Sequence, residues 1–177
     1  MNFNPNPKNI KDQREPTSGL TKEKYAEATK LPVEFLDSIY VYERKMKGVQ
    51  RLHFPYFDQG GNNIGTRLQQ SLNGSNHSIW QKGSKHSLYG LWMMREQLHD
   101  CKDNSIAKAN IFLVEGESNA QTLWFYEYKA LGIPSGTTWK SEWGEYLEGY
   151  DIYVWQEPNE GGSRFVERIG ADIDNIK

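Results

Sequence analysis

Acidic and amide side chains follow two strand-like segments in the second half of this sequence. The apolar run at 111–114 leads into acidic residues and Gly116, and a second run at 150–155 is followed by further acidic residues. The carboxyl ends of parallel strands share one edge of a sheet, where α/β proteins place their chemistry. The side chains expected to meet at this edge are Glu115, Glu117, Glu157, Asn159 and Glu160.

The five side chains at this edge form a candidate divalent-metal site. Carboxylates that lie close together repel each other unless a cation lies between them. Mg²⁺ and Mn²⁺ prefer hard oxygen ligands of this kind. The alternative is a pair of solvated acidic turns, because acidic residues are common in the turns that follow strands. The spacing of the residues leaves both interpretations open.

A second group of residues combines positive charge with aromatic rings, in and beside the irregular segment 73–92. This combination suits single-stranded nucleic acid, whose phosphates bind cations and whose bases stack on rings. The alternative is a solvated loop whose aromatic residues belong to the core. The cations are Arg67, Lys82, Lys85 and His86, and the rings are Trp80, Tyr89 and Trp92.

The elements that would position the acidic residues alternate between strands and helices. After the strand at 111–114, Gly116 allows a sharp turn, and apolar residues recur with helical spacing over 120–128. Segment 130–134 is predicted to be a short strand, and a further helix is predicted from Gly161. This order predicts an α/β fold with an open, mainly parallel sheet flanked by helices.

The first half of the chain is predicted to be a small mixed α+β lobe. Residues 1–19 are rich in Asn, Pro, Lys and Asp and are expected to be a disordered leader. A capping-box-like start at Thr21 and a first-turn proline, Pro32, predict two short helices. Residues 48–68 are predicted to form a β-hairpin, and a helix is expected at 93–99.

The composition is that of one globular domain or two small lobes. The 177 residues carry a net charge of −2, so any basic surface must be local. The single cysteine, Cys101, and the four histidines show no zinc-binding spacing. No segment has the length and hydropathy of a signal peptide or a bilayer span. The cytoplasm is therefore the expected compartment, with no membrane partner.

Two motifs in the second half resemble a Toprim domain, the α/β module shared by primases, topoisomerases and some nucleases. They are Val-Glu-Gly-Glu-Ser-Asn at 114–119 and Glu-Pro-Asn-Glu-Gly-Gly at 157–162, which stands in place of an Asp-x-Asp motif. The first half resembles the N-terminal lobe of the bacterial primase catalytic core. The matching segments, in order along the chain, are 53–58, 65–68, 80–83 and 88–91.

The resemblance covers residues 20–170 and points to the primases and primase-helicases of phages and mobile elements. It implies a primase N-terminal lobe at 20–100 and a Toprim domain at 101–177 that stops before its last strand. The implied activity is metal-dependent synthesis of short primers on single-stranded DNA during replication. The implied partners are a single-stranded template, nucleoside triphosphates, and a helicase domain or subunit.

The resemblance also implies a role for each candidate residue. Mg²⁺ or Mn²⁺ would neutralise charge on an incoming triphosphate during phosphoryl transfer. Glu115 and Glu157 would be the catalytic residues, with Glu115 as the candidate general base. The implied metal ligands are Glu115, Glu117, Glu157 and Asn159. The implied phosphate contacts are Arg67, Lys82 and Lys85.

The sequence departs from the family motifs at Asn119 and Asn159, where active Toprim enzymes carry acids. An amide can ligate a metal through its oxygen, but it carries no charge and cannot act as a base. Two other classes of function therefore stay open. One is a catalytically weakened module that binds nucleic acid. The other is a Toprim-type nuclease or a topoisomerase-like enzyme.

Overall fold

The described part of the chain forms one antiparallel sheet, one parallel sheet and four α-helices. The computed structural model describes residues 19–73, 78–94, 109–158, 160–173 and 176–177. The helices are α1 (Lys22–Thr29), α2 (Val33–Ser38), α3 (Gly116–Phe125) and α4 (Glu160–Gly170). The strands are β1 (Tyr42–Met46), β2 (Val49–Phe57), β3 (Asn63–Gln69), β4 (Ser78–Trp80), β5 (Asn110–Glu115), β6 (Ala130–Ile133) and β7 (Asp151–Val154).

The first sheet is antiparallel, with strand order β1-β2-β3-β4. Two short helices precede it: the Thr21 hydroxyl caps α1 by accepting from the Lys24 N–H at 3.3 Å, and α2 begins directly after Pro32. β2 and β3 pair as a hairpin. The two helices and the hairpin predicted from the sequence are thus confirmed. The short outer strands β1 and β4 were not predicted.

The second sheet is parallel, with strand order β6-β5-β7. Helix α3 crosses from β5 to β6, and α4 follows β7. On the other side of β7, the Lys177 N–H donates to the Ile152 carbonyl at 2.9 Å, and the Lys177 carbonyl accepts from the Val154 N–H at 3.1 Å. The predicted α/β fold, with an open parallel sheet flanked by helices, is confirmed.

Two predicted segments extend beyond the described residues. The leader at 1–19 is described only at Gly19, which forms a bridge with Gln50. The helix expected at 93–99 is described only to Met94, where the chain forms a 3₁₀ helix, Leu91–Met94. None of the described helices is both long and apolar enough to cross a bilayer.

An apolar cluster joins the antiparallel sheet to the parallel sheet. Phe54 and Tyr56 of β2 are fully buried and belong to the same cluster as Val114, Ala120 and Trp124 of the second half. A second cluster packs the other residues of the parallel sheet against α4 and the 3₁₀ helix Ser141–Leu147. Because the first cluster contains residues of both sheets, the two halves of the chain stabilise each other's position.

Buried hydrogen bonds reinforce this shared core. The Tyr25 hydroxyl donates to Gln121 Oε1 at 2.7 Å, and Gln121 Nε2 donates to the Tyr89 hydroxyl at 3.0 Å. Tyr89 also exchanges two backbone hydrogen bonds with Gly132 of β6, at 2.8 and 2.9 Å. Burial raises the pKa of both Tyr25 and Tyr89, so each phenol keeps its proton. The amide of Gln121 is satisfied on both sides by the first half of the chain.

His53 is buried in β2 without a hydrogen-bond partner on either ring nitrogen. Its ring stacks on Tyr42, with centroids 4.6 Å apart. Burial, followed by the positive charges of Arg44 and Arg51, lowers the pKa of His53. The imidazole is therefore neutral in the fold at neutral pH, while the same side chain in the unfolded chain titrates near its usual pKa of about 6.5.

Stability is expected to fall as the pH drops from about 6.5 towards 5, the range in which an unfolded histidine gains a proton. The unfolded chain binds this proton more readily than folded His53 does. Urea unfolding across this range should show the loss for the natural protein and a flatter profile for His53→Leu. The exposed His86 provides the control, since His86→Gln should keep the slope. An equal slope in His53→Leu would contradict this expectation.

Candidate functional site

Glu115 and Glu157 lie at the same edge of the parallel sheet. Glu115 is the last residue of β5, and Glu157 lies in the turn after β7, the adjacent parallel strand. Both border a cavity of about 470 Å³ between the parallel sheet and the first half of the chain. The other lining residues include Tyr25, Arg67, Ser78, Glu117, Asn119 and Pro134.

The Glu115 carboxylate is held by the loop that follows β6. The Gly136 N–H donates to Glu115 Oε1 at 2.9 Å. A Cβ atom at position 136 would lie 3.1 Å from Glu115 Oε2, so glycine allows this close approach. The turn closes on itself, since the Thr138 N–H donates to the Ser135 carbonyl at 2.9 Å. Glu115 is therefore fixed in position by a backbone donor from the loop that follows the neighbouring strand.

The Glu117 carboxylate is engaged by the first half of the chain. Arg67 of β3 donates to Glu117 Oε1 at 3.2 Å, and the Tyr56 hydroxyl of β2 donates to the same oxygen. Both partners of the ion pair are largely buried, with 15% and 13% of their side chains exposed. Burial, followed by the Glu117 charge, raises the pKa of Tyr56, so the phenol remains a donor.

Arg67 makes further contacts beyond the ion pair. It donates to the Pro134 carbonyl at the end of β6 and to the Ser78 hydroxyl at 3.1 Å. Its guanidinium also lies over the Trp80 ring, 5.9 Å from the centroid. Arg67 borders the cavity, and its contacts with Glu117 and Pro134 connect β3 to the parallel sheet.

Asn119 connects the backbone of Glu115 to the side chain of Glu157. Its Nδ2 donates to the Glu115 backbone carbonyl at 3.0 Å and approaches Glu157 Oε1 at 3.4 Å. The residue lies in the first half of α3, one turn after Glu115. A carboxylate at this position would repel the two glutamates. The Asn119 amide instead supplies a hydrogen-bond donor that points at both of them. The structure therefore accommodates an amide at position 119.

Gly162 allows the first turn of α4 to pack against the Glu157 backbone. A Cβ atom at position 162 would lie 2.2 Å from the Glu157 carbonyl oxygen. If Glu115 and Glu157 hold a divalent metal, Gly162→Ala should displace Glu157 and weaken metal binding by about tenfold or more, as loss of support around a ligand generally does. Calorimetric titration with Mn²⁺ measures the effect. Gly144→Ala, whose added methyl meets no atom within 4 Å, should bind Mn²⁺ as the natural protein does.

The fold of this chain matches a known architecture. The chain matches the primase domain of bacteriophage T7 gp4, in a complex with the lagging-strand DNA polymerase, an RNA/DNA hybrid and dTTP, with TM-score 0.66 and 18% identity. The match covers 85% of this chain and 76% of that one. This chain has the fold of the primase catalytic core. At this identity the likeness establishes the fold alone.

Two further structures share the primase-core fold. The primase fragment of the bacteriophage T7 primase-helicase gives TM-score 0.64 at 17% identity, covering 91% of this chain and 63% of that one. A DnaG primase catalytic domain bound to single-stranded DNA gives 0.62 at 14%, covering 88% and 59%. The chain thus spans about three fifths of these two relatives. No family model and no curated protein sequence matches it.

Other predicted site residues lie elsewhere on this primase-core fold or outside its described part. Lys82 and Lys85 are exposed in the loop after β4 and do not line the cavity. Glu160 is exposed and pairs with Arg164 along α4. Asn159 lies outside the described residues. The ligand and phosphate-binding roles of these residues stay predictions.

The donor set at the site fits a metal ion that is held jointly with a ligand. Within the described residues, no group of three acidic, histidine or cysteine side chains is arranged to hold a metal. Three carboxylates border the cavity, those of Glu115, Glu117 and Glu157, and the Glu117 carboxylate is paired with Arg67. Mg²⁺ commonly binds through one or two carboxylates together with water and substrate phosphates. Two carboxylates therefore suffice for such a site.

Sequence reasoning missed the partners that fix the carboxylates. The sequence predicts that the loop 135–138 offers backbone N–H groups to an anion, but it does not identify that anion as the Glu115 carboxylate. It places Tyr56 in a strand and gives no sign of its contact with Glu117. Tyr56 reaches Glu117 across 61 positions of the chain. The available signal is the glycine at 136, two residues after the predicted strand at 130–134, because a glycine lets a loop approach a side chain closely.

Proposed function

We propose that this protein is a metal-dependent, primase-type nucleotidyltransferase that synthesises short oligonucleotide primers on single-stranded DNA. We assign it to DNA replication in the cytoplasm, in a phage, plasmid or mobile-element system. The observation that carries the proposal is that Glu115 and Glu157 both border one cavity at the edge of the parallel sheet, with the first half of the chain as its opposite wall.

The proposed reaction joins two nucleotides. The 3′ oxygen of one nucleotide attacks the α-phosphorus of the next, a phosphodiester bond forms, and pyrophosphate leaves with the electrons of the broken P–O bond. Glu115 is proposed to accept the proton of the attacking hydroxyl, since the Gly136 N–H holds its carboxylate at a strand end. Positioning and charge neutralisation supply most of the rate enhancement in phosphoryl transfer.

A divalent metal would supply that charge neutralisation, and Glu115 and Glu157 are the residues proposed to hold it. Asn119 would orient the Glu157 carboxylate through their contact of 3.4 Å. Glu117 acts on a different part of the site, because its carboxylate compensates the charge of Arg67. In this proposal Glu115 and Glu157 bind the metal, and Glu117 binds Arg67 in the wall of the cavity.

The partners follow from the same proposal. The T7 primase domain was observed with an RNA/DNA hybrid and dTTP, and a DnaG catalytic domain was observed with single-stranded DNA. By analogy with these structures, we assign single-stranded DNA and nucleoside triphosphates to this chain as template and substrates. The T7 fragment belongs to a primase-helicase protein, so a helicase domain or subunit is the proposed protein partner.

A second candidate function is a nucleic-acid-binding module without catalysis. It is favoured by Asn119, an uncharged side chain beside Glu157, and by the pairing of Glu117 with Arg67. Fewer free carboxylates bind a metal more weakly, which reduces catalysis more than it reduces binding of a template. The two candidates share the fold and differ in whether nucleotides are joined.

A primer-synthesis assay tests the proposal. The natural protein and Asn159→Asp are incubated with a single-stranded template and labelled nucleoside triphosphates across Mg²⁺ and Mn²⁺ titrations. We expect oligonucleotide products from both, at lower metal concentration for Asn159→Asp because a carboxylate adds charge at the site. Product from neither protein, with template binding intact, would overturn the primase proposal in favour of the binding module. Cut template would indicate a nuclease.

The exposed loop after β4 yields a separate prediction. If Lys82 and Lys85 contact phosphates, replacing both with Ala should weaken single-stranded DNA binding and reduce the log–log salt slope by about 0.7 for each lost contact. Fluorescence anisotropy over a salt series measures both quantities. The exposed residues Lys129 and Lys140 provide a control pair of equal charge. If the salt slope of the Lys82/Lys85 variant equals that of the control variant, Lys82 and Lys85 do not contact phosphates and belong to a solvated loop.

A further inference from the structure

Trp155 is a large apolar residue that stays exposed at the end of β7. Its backbone N–H donates to the Leu113 carbonyl at 2.9 Å, so the pairing with β5 continues one position beyond β7. The residue is nevertheless 59% exposed. Tyr153, two positions earlier, is covered: it stacks on Phe112, with centroids 5.4 Å apart, and Lys177 Nζ lies 5.3 Å from its ring centroid. Among the described residues, no aromatic ring or cation covers Trp155 in this way.

The side chains of Trp155 and Glu157 both face helix α3. Trp155 lines a groove together with residues of this helix. Glu157 Oε1 lies 3.4 Å from Nδ2 of Asn119, which is also in α3. Gln156, between them, points the other way, because its Nε2 donates to Ser163 Oγ of α4 at 3.0 Å. The exposed ring and the proposed metal-binding carboxylate therefore lie on the same side of the chain.

The groove beside Trp155 has a volume of about 240 Å³ and adjoins the cavity described above. Its other lining residues are Val114 of β5 and Asn119, Thr122 and Leu123 of α3. Pockets that enclose a whole small molecule usually measure about 300–1,000 Å³, so this groove suits one flat group of a larger ligand. Asn119 also lines the cavity that Glu115 and Glu157 border. The groove and the cavity are therefore neighbours that share one residue.

We propose that Trp155 stacks on the base of the nucleoside triphosphate whose phosphates bind beside Glu115 and Glu157. This role rests on the proposed function and adds to it the residue that binds the base. Trp155 and Glu157 are two positions apart, so their Cα atoms are separated by roughly 7 Å at most. A nucleotide carries its base and its phosphates on opposite ends of one sugar. The groove and the cavity would therefore hold the two ends of the same molecule.

The chemistry of the groove suits any of the four bases. Stacking on an aromatic ring tolerates every base, because each has a π-face. The polar side chains of the groove already donate elsewhere: Asn119 to the Glu115 carbonyl at 3.0 Å, and the Thr122 hydroxyl to the Ser118 carbonyl at 2.8 Å. The groove thus offers a base a stacking surface and leaves the choice of base to pairing with a template. Its position next to the cavity favours a nucleotide over a segment of another protein.

The test is calorimetric titration of the full chain with ATP and with tripolyphosphate, each with Mn²⁺ and without DNA. Tripolyphosphate has the phosphates but no base. Trp155→Ala should bind ATP about tenfold more weakly, as expected for the loss of one base–aromatic stack. Its affinity for tripolyphosphate should stay within about twofold of the natural value, and Trp155→Phe should recover most of the ATP affinity. Tyr126→Ala is the control, because Tyr126 is 64% exposed and lines neither the groove nor the cavity.

The outcomes separate this role of Trp155 from the proposed function. If the natural protein binds both ligands and Trp155→Ala binds ATP equally well, the role of Trp155 is overturned and the proposed function stands. Equal weakening of ATP and tripolyphosphate would show that the substitution disturbs the phosphate site, which also overturns a role in base binding. A changed oligomeric state with unchanged ATP affinity would assign the ring to a protein interface instead. Binding of neither ligand by the natural protein would overturn the proposed function together with this role.

Discussion

Primer synthesis is expected to fall by about 100-fold or more in Glu157→Gln, comparable to the loss of one group that stabilises transition-state charge. The substitution keeps the shape of the side chain and its acceptor towards Asn119. It removes the negative charge that the proposed reaction needs to hold a divalent metal beside the triphosphate. Initial rates of product formation at saturating template measure the effect, with melting temperature confirming that the fold persists.

The nearby Glu160 provides the control for this prediction. Glu160 is exposed, pairs with Arg164 and follows Glu157 closely in the chain. Glu160→Gln makes the same charge change, yet we expect synthesis within about threefold of the natural rate because exposed ion pairs contribute little. If both variants lose activity equally, the charge of the whole turn matters and Glu157 has no specific role.

Arg67→Ala is expected to lower the free energy of unfolding by about 3 kcal/mol, the typical cost of leaving one partner of a buried ion pair unpaired. The Glu117 carboxylate would remain largely buried, and the Pro134 carbonyl and the Ser78 hydroxyl would each lose a donor. Urea unfolding measures the loss. Arg67 also fastens β3 to the end of β6, so the variant should lose the geometry of the cavity.

A second substitution separates charge from packing in this prediction. Adding Glu117→Gln to Arg67→Ala removes the uncompensated carboxylate, so the double variant should be more stable than Arg67→Ala alone. Arg164→Ala, which breaks an exposed pair, should cost less than about 0.5 kcal/mol. Strictly additive losses in the double variant would show that the Arg67–Glu117 pair has no coupling energy.

The sequence predicts the local parts of this fold well. The strand ending in Glu115, the turn at Gly116 and the following helix depend on periodicity and on one glycine, and all three are present. The hairpin around 58–62 follows from its turn residues. That Glu115 and Glu157 lie at the same edge follows from the sequence, because the carboxyl ends of parallel strands share one edge. That β5 and β7 are neighbours is shown by their pairing and does not follow from the order of elements in the chain.

Contacts between distant segments are the part that the sequence does not predict. Whether Arg67 binds a phosphate or Glu117 depends on the packing of β3 against the parallel sheet, which no local pattern specifies. The same holds for the Gly136 N–H on Glu115. β4 has three residues, too few for a periodic signal, and β1 carries charged residues on both faces.

The core shared by the two sheets has a consequence for synthesis of the chain. The Tyr25–Gln121 bond spans 96 positions and the Tyr56–Glu117 bond spans 61, so neither can form until α3 has been made. The ribosome adds about 5–20 residues per second, so the apolar face of the β2–β3 hairpin stays uncovered for several seconds until α3 has been synthesised. The nascent N-terminal half is therefore exposed to chaperones and to aggregation during translation, and slower ribosomes would lengthen that exposure.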